Sequence, residues 1–150
     1  FLRYYVLLNY FSIPLIILSA LYIFLRNEKL KFNRNYIFMI ILGLLYVVLV
    51  YTYKFSISIT NKFGFIISLE NGMIPILIYL IILASLAVFI LINVDKPFCN
   101  KVGMRLLLVS LILYIVEYIL LLGGISIYPY PIIGEVLILF CLLKSISTFK

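Results

Sequence analysis

Five apolar runs, at 4–25, 36–53, 73–94, 102–122 and 131–146, constrain this chain more than any other feature. Each approaches the ~20 residues that an α-helix needs to cross ~30 Å of hydrocarbon. With 67% hydrophobic and 11% charged residues, the 150-residue chain is greasier than one soluble core can use. The expected architecture is therefore an all-α transmembrane domain, a single five-helix bundle over residues 1–150, lodged in the cell membrane as a multi-pass protein. The fifth run is the weakest because Lys144 interrupts it. A lysine near a helix end can reach the headgroups, so Lys144 is expected to mark the cytoplasmic boundary.

Basic residues set the expected orientation. Arg26, Lys29, Lys31, Arg34, Lys96, Lys101, Arg105, Lys144 and Lys150 fall on one side of the spans, and Arg3, Lys54 and Lys62 on the other. The richer side is assigned to the cytoplasm, which puts the amino terminus outside and the carboxyl terminus inside. The net charge of +7 then reflects juxtamembrane residues facing anionic lipid, and no nucleic acid is needed to explain it. Phe1 has no charged leader or cleavage site around it, and "LLKSISTFK" ends abruptly, so a fragment or a processed chain is expected. Cys99, in a cytoplasmic loop, and Cys141, in the last span, are expected to be free thiols.

Within the spans, Tyr5, Asn9, Ser12 and Ser19 give the first helix a mildly polar face that should look inward, and Pro14 frees a carbonyl. Gly43, Tyr46, Val50 and Tyr53 repeat the pattern in the second. Ala84, Ser85 and Ala87 offer small residues for close packing in the third. Between the second and third spans the period changes to two: "FSISI" alternates, "TNK" follows, and Phe63, Phe65, Ile67 and Leu69 resume the alternation. A short extracellular β-hairpin is predicted, with an irregular loop lying in the interface as its alternative. "ENG", residues 70–72, reads as the turn into the third span.

The chain has no histidine, no G-x-S-x-G, no Walker loop and no metal-ligand cluster. No catalytic residue, metal or cofactor is expected, and an enzyme within this chain is poorly supported. Five acids carry the argument. Glu28 and Asp95 lie in basic loops and Glu70 in the extracellular connection, where solvated roles suffice. Glu117 comes five residues before the end of the fourth span and Glu135 four after Pro131, each roughly 6 to 8 Å below the outer surface at 1.5 Å per residue. A carboxylate at that depth must face the interior, hold its proton or find donors. Ser110, Tyr114 and Glu117 recur at i, i+4, i+7, a polar stripe on the fourth helix. "YPYPIIGE" starts the last helix with prolines, whose missing N–H is harmless there, and sets Glu135 one turn inside. The macrodipole gives Glu135 a structural role on its own helix, but it disfavours Glu117 at a carboxyl end, so Glu117 needs another reason. The candidate ligand-binding residues are Glu117, Glu135, Tyr114, Tyr118, Tyr128 and Tyr130, with the two acids expected to act as one site.

The order of features resembles a known arrangement. A basic connection after a Tyr- and Phe-bearing helix, "VYTYKF" leading to "NKFGFI" and "NGMIPILIYLI", the acid in "YIVEYILLLGGISIYP", and "PIIGEVLILFCLLKSI" together resemble the seven-span membrane sensor region of bacterial sensor histidine kinases, a region also found before diguanylate cyclases. "GISIYPYPIIG" resembles that family's short loop into its last span. The resemblance implies that these five spans correspond to the last five of seven, and that the last helix leads into a cytoplasmic signalling domain. The chain itself has neither a phosphoacceptor histidine nor a nucleotide-binding motif.

The expected function is that of a membrane sensor domain passing a signal through its last helix. The alternatives are a small transporter or its substrate-binding subunit, and a membrane immunity or structural protein. The expected partners are the lipid bilayer, a small ligand, a cytoplasmic signalling domain and a second copy of the chain in a homodimer, without nucleic acid.

Overall fold

The computed structural model describes residues 2–25, 33–60, 64–97, 99–125, 128 and 130–147. The basic connection with Arg26, Lys29 and Lys31, the tip with Lys62 and Phe63, the side chain of Tyr5, Pro129 and Lys150 lie outside the described residues. Five helices form: α1 (Leu2–Leu25), α2 (Asn33–Thr52), α3 (Met73–Asn93), α4 (Lys101–Leu122) and α5 (Ile132–Ser147). Two strands, β1 (Phe55–Thr60) and β2 (Gly64–Leu69), stand between α2 and α3.

Three helical segments, Leu7–Leu25, Met73–Asn93 and Lys101–Leu122, are long and apolar enough to cross a membrane. The apolar part of α2, Ile37–Thr52, is shorter, and α5 has 16 residues, a rise of about 24 Å at 1.5 Å per residue. The outer faces of these helices are rich in large apolar side chains, among them Ile40, Leu44, Tyr51, Ile81, Ile92 and Val109. A water-facing surface rarely carries so continuous an apolar coat, and lipid is the solvent that suits it.

α1 is the helix the others gather around: it packs against α2, α3, α4 and α5, while α3 and α5 also contact α4. Local signals fix the ends. The Asn100 side chain accepts the Gly103 N–H (3.2 Å) as an N-cap, and the Asn100 N–H donates to the Phe24 carbonyl (2.9 Å), joining the end of α1 to the start of α4. α4 stops at "GG", where Gly124 takes a left-handed φ of 79° and the Ile125 N–H reaches back to the Leu120 carbonyl at 3.0 Å.

The inward face of α1 is mostly apolar, and of the polar face expected there Asn9 reaches Glu135 of α5. Leu7, Tyr10, Ile13, Ile17, Leu21 and Phe24 are buried, whereas Ser19 is exposed and donates to its own Leu15 carbonyl. α3 likewise buries Tyr79, Leu83, Leu86 and Ile90, leaving Ala84 and Ser85 exposed. Large side chains therefore dominate the buried face of α3, and of the small residues expected to pack closely only Ala87 lies against the core. The close approach lies instead between α4 and α5, where a Cβ on Gly134 would sit 2.6 Å from the Tyr114 Cα.

The hairpin is antiparallel, pairing Phe55 with Leu69, Ile57 with Ile67 and Ile59 with Phe65 on one face, and Ser56 with Ser68 on the other. The Ser56 and Ser68 hydroxyls lie 2.9 Å apart across that polar face. Only the base of the apolar face meets the bundle: Phe55 and Leu69 pack on the core, while Ile59 and Phe65 are about three-quarters exposed. "ENG" makes the turn, with Asn71 at a φ of 57° and Glu70 exposed.

Candidate functional site

At the hairpin end of the bundle, α1, α3, α4 and α5 bring their polar side chains together. Tyr10 of α1, Tyr79 of α3, and Tyr114 and Tyr118 of α4 are all buried. Their rings meet edge to face, with centroids 4.7 Å apart for Tyr10 and Tyr79, 5.3 Å for Tyr79 and Tyr118, and 5.1 Å for Tyr114 and Tyr118. The Tyr79 and Tyr114 hydroxyls are 3.3 Å apart, and Tyr79 also donates to the Asn9 carbonyl at 3.5 Å. Tyr10 and Tyr118, Tyr118 and Tyr114, and Tyr114 and Glu135 are neighbouring side chains in this cluster. Among the described residues no buried side-chain nitrogen or oxygen lacks a partner, which a polar cluster in an apolar bundle requires.

The two acids take different places in this arrangement. Both Glu117 oxygens accept backbone N–H groups from the first turn of α5: Oε1 from Ile133 at 3.2 Å and Oε2 from Gly134 at 2.7 Å. Ile132 donates to the Tyr130 carbonyl and Glu135 to the Pro131 carbonyl, so the N–H groups of residues 132–135 that open α5 are all met. Here is the reason Glu117 needed: it caps the neighbouring helix, whose positive dipole end outweighs the unfavourable end of its own. Gly134 makes this possible, because without a side chain its backbone can lie directly on Tyr114.

Glu135 points elsewhere. Asn9 Nδ2 donates to its Oε1 at 2.9 Å, a contact linking α1 to α5 across 126 positions of sequence. The carboxylate lines a cleft of about 180 Å³ whose other walls include Asn9 and Tyr10 from α1, Ile66–Leu69 of β2, Tyr118 and Leu121 from α4, and Tyr130. Pro14, inside α1, supplies no N–H for the Tyr10 carbonyl, which a regular helix would pair. Glu117 borders a different and much smaller space, about 20 Å³, with Leu120, Tyr128 and Tyr130. That is room for about one water, since a water needs ~10–15 Å³ on the same measure. The larger cleft is comparable to an engineered ~150 Å³ cavity that takes benzene, and smaller than the ~300 Å³ at which drug-sized pockets begin.

Tyr130 stands between the two spaces and touches both. Its hydroxyl accepts the Ile67 N–H (3.2 Å) and donates to the Ile67 carbonyl (3.3 Å), pinning β2 over the start of α5. Tyr128 is exposed at the smaller space. The structure thus gathers Glu135, Tyr118 and Tyr130 at one cleft, with Tyr114 behind Glu135, and places Glu117 and Tyr128 beside it. Tyr10 and Tyr79, on helices apolar almost all round, gave no local signal, and Asn9 was visible only as part of a polar face. Among the described residues no cluster of three or more metal-ligating side chains occurs. No protein-family model, curated protein or solved structure matches this chain.

Proposed function

We propose that this chain is a membrane sensor domain that binds a small ligand in the Glu135 cleft and passes the event along α5. The cleft itself carries the reading. Its lining draws on α1, β2, α4 and the start of α5, so an occupant would touch several elements at once and could favour one packing of α5 over another. Glu135 is well placed for this, since it joins the cleft to the first turn of the helix that would carry the signal. In this reading all five helices cross the cell membrane, with the hairpin outside and the carboxyl end of α5 in the cytoplasm. Lys96, Lys101, Arg105 and Lys144 at the end remote from the hairpin support that orientation. A cytoplasmic signalling domain, as in the sensor kinases that the sequence resembles, would receive the signal, and a second copy of the chain would complete a dimer.

Transport, the principal rival, needs a continuous path to the opposite end. Beyond the tyrosines Ile17, Leu83, Leu107, Leu111, Ile90 and Met104 make the core mostly apolar, with Ser110, Asn93 and Ser145 as its buried polar residues among those described and no buried charge, which weighs against it. An immunity or structural role would leave the cleft without a purpose.

Two measurements test the proposal. In a background with Cys99→Ser and Cys141→Ala, cysteines at positions 31 and 101 should resist external labelling in intact cells and one at 62 should react; strong labelling at 31 overturns the orientation. For signalling, Ser147→Cys at the end of α5 should change its maleimide reactivity severalfold when Glu135 becomes Gln. An unchanged rate in folded protein overturns coupling between the cleft and α5.

A further inference from the structure

We infer that the Glu135 cleft recognises a small organic cation, an ammonium or quaternary ammonium group, as its ligand. The inference rests on the cleft being a ligand site and deepens that reading. Among the described residues lining it, Glu135 alone carries a formal charge, and the rest are apolar, aromatic or neutral polar. An anion would meet this carboxylate with no cation to offset it. A neutral apolar occupant would cover the carboxylate without adding a donor or a charge to it. A cation satisfies both the charge and the walls, because Tyr10, Tyr118 and Tyr130 supply three aromatic rings around one carboxylate, the composition that holds quaternary ammonium groups elsewhere.

Asn9 and Tyr114 hold the Glu135 carboxylate at the cleft wall. Asn9 Nδ2 engages Oε1, and Gly134, the residue before it, is occupied by Glu117, so Glu117 is itself bound to backbone and does not compete for the same cation. Charge along the chain is also permissive. Among the described residues, Lys54 stands at the hairpin end against Glu70, Glu117 and Glu135, while Lys96, Lys101, Arg105 and Lys144 lie at the opposite end. A cation approaching the cleft meets no general repulsion there. With about 180 Å³ the cleft suits a headgroup-sized ligand. The ammonium can come as a free solute or as the choline of a lipid headgroup, since the recognising chemistry is the same.

Calorimetric titration of the full chain in neutral maltoside micelles tests this, with choline as the probe and 3,3-dimethylbutan-1-ol, its uncharged carbon isostere, as the control. Choline should bind saturably, at least tenfold more tightly than the isostere, and Glu135→Gln should weaken choline at least tenfold while Glu117→Gln, in protein that remains folded, leaves it within about threefold. Repeating the titration with added phosphatidylcholine separates the sources: weakened choline binding identifies the lipid headgroup as occupant, and unchanged binding identifies the free solute, each consistent with ammonium recognition. Equal binding of the isostere, no choline binding by the folded chain, or full binding by Glu135→Gln overturns the inference. The Ser147 reactivity test stands apart from all of these, so a cleft that refuses cations can still prove coupled to α5.

Discussion

Glu117 and Glu135 sit on adjoining helices at one end of the bundle, yet one closes a corner and the other borders an opening. Glu117 is saturated by two backbone N–H groups at a seam so tight that a glycine is needed in it. Glu135 has an amide on one oxygen and a cleft beside it. The same functional group thus serves stability where donors are fixed by backbone and remains available where they are side chains that can move. Burial depth, which the two share by estimate, decides neither.

The comparison breaks most easily at the closed corner. Gly134→Ala should cost about 3 kcal/mol, because the atom it meets is Tyr114 backbone and cannot swing aside, and thermal unfolding in detergent will read the loss. Glu117→Gln should follow at about 1.5–2 kcal/mol, the range for hydrogen bonds to a charged acceptor, with the fall seen in the same melt. Phe55→Asp should destabilise by about 1–2 kcal/mol through lost contact with the core, whereas Ile57→Asp, at a position 66% exposed, should stay within about 0.5 kcal/mol. Tyr130→Phe should cost about 0.5–1 kcal/mol and speed hydrogen exchange at the Ile67 amide in particular. Smallest of all, Glu135→Gln should alter stability by less than about 0.5 kcal/mol, since glutamine still accepts from Asn9. A large loss of stability there would turn Glu135 into a second structural acid and erase the contrast.

Much of this was legible in sequence wherever a local period or a stop signal exists. The helix bounds agree with the apolar runs to within a few residues, the hairpin register follows the alternation of "FSISI", and Ser110, Tyr114 and Glu117 do share the face toward α5. The inward faces of α1 and α3 were not legible. When the outer surface is as apolar as the core, hydropathy no longer separates one from the other, and a lone serine can satisfy itself on its own helix, as Ser19 and Ser85 do. Asn9 meets Glu135, and Tyr79 meets Tyr114, only because the intervening connections bring four helices together. The macrodipole of α4 disfavours Glu117 along its own helix, but across the seam Glu117 answers to the dipole of α5.

The phenol of Tyr130 has one more effect. Ile67 turns its N–H and carbonyl away from β1, which is how β2 would present itself to an additional strand, and a single hydroxyl fills both positions. Unprotected ribbon edges recruit strands from other molecules and seed association. Here a side chain from the far end of the sequence acts as a stopper on that edge, so edge-to-edge growth of the hairpin through β2 must first evict Tyr130.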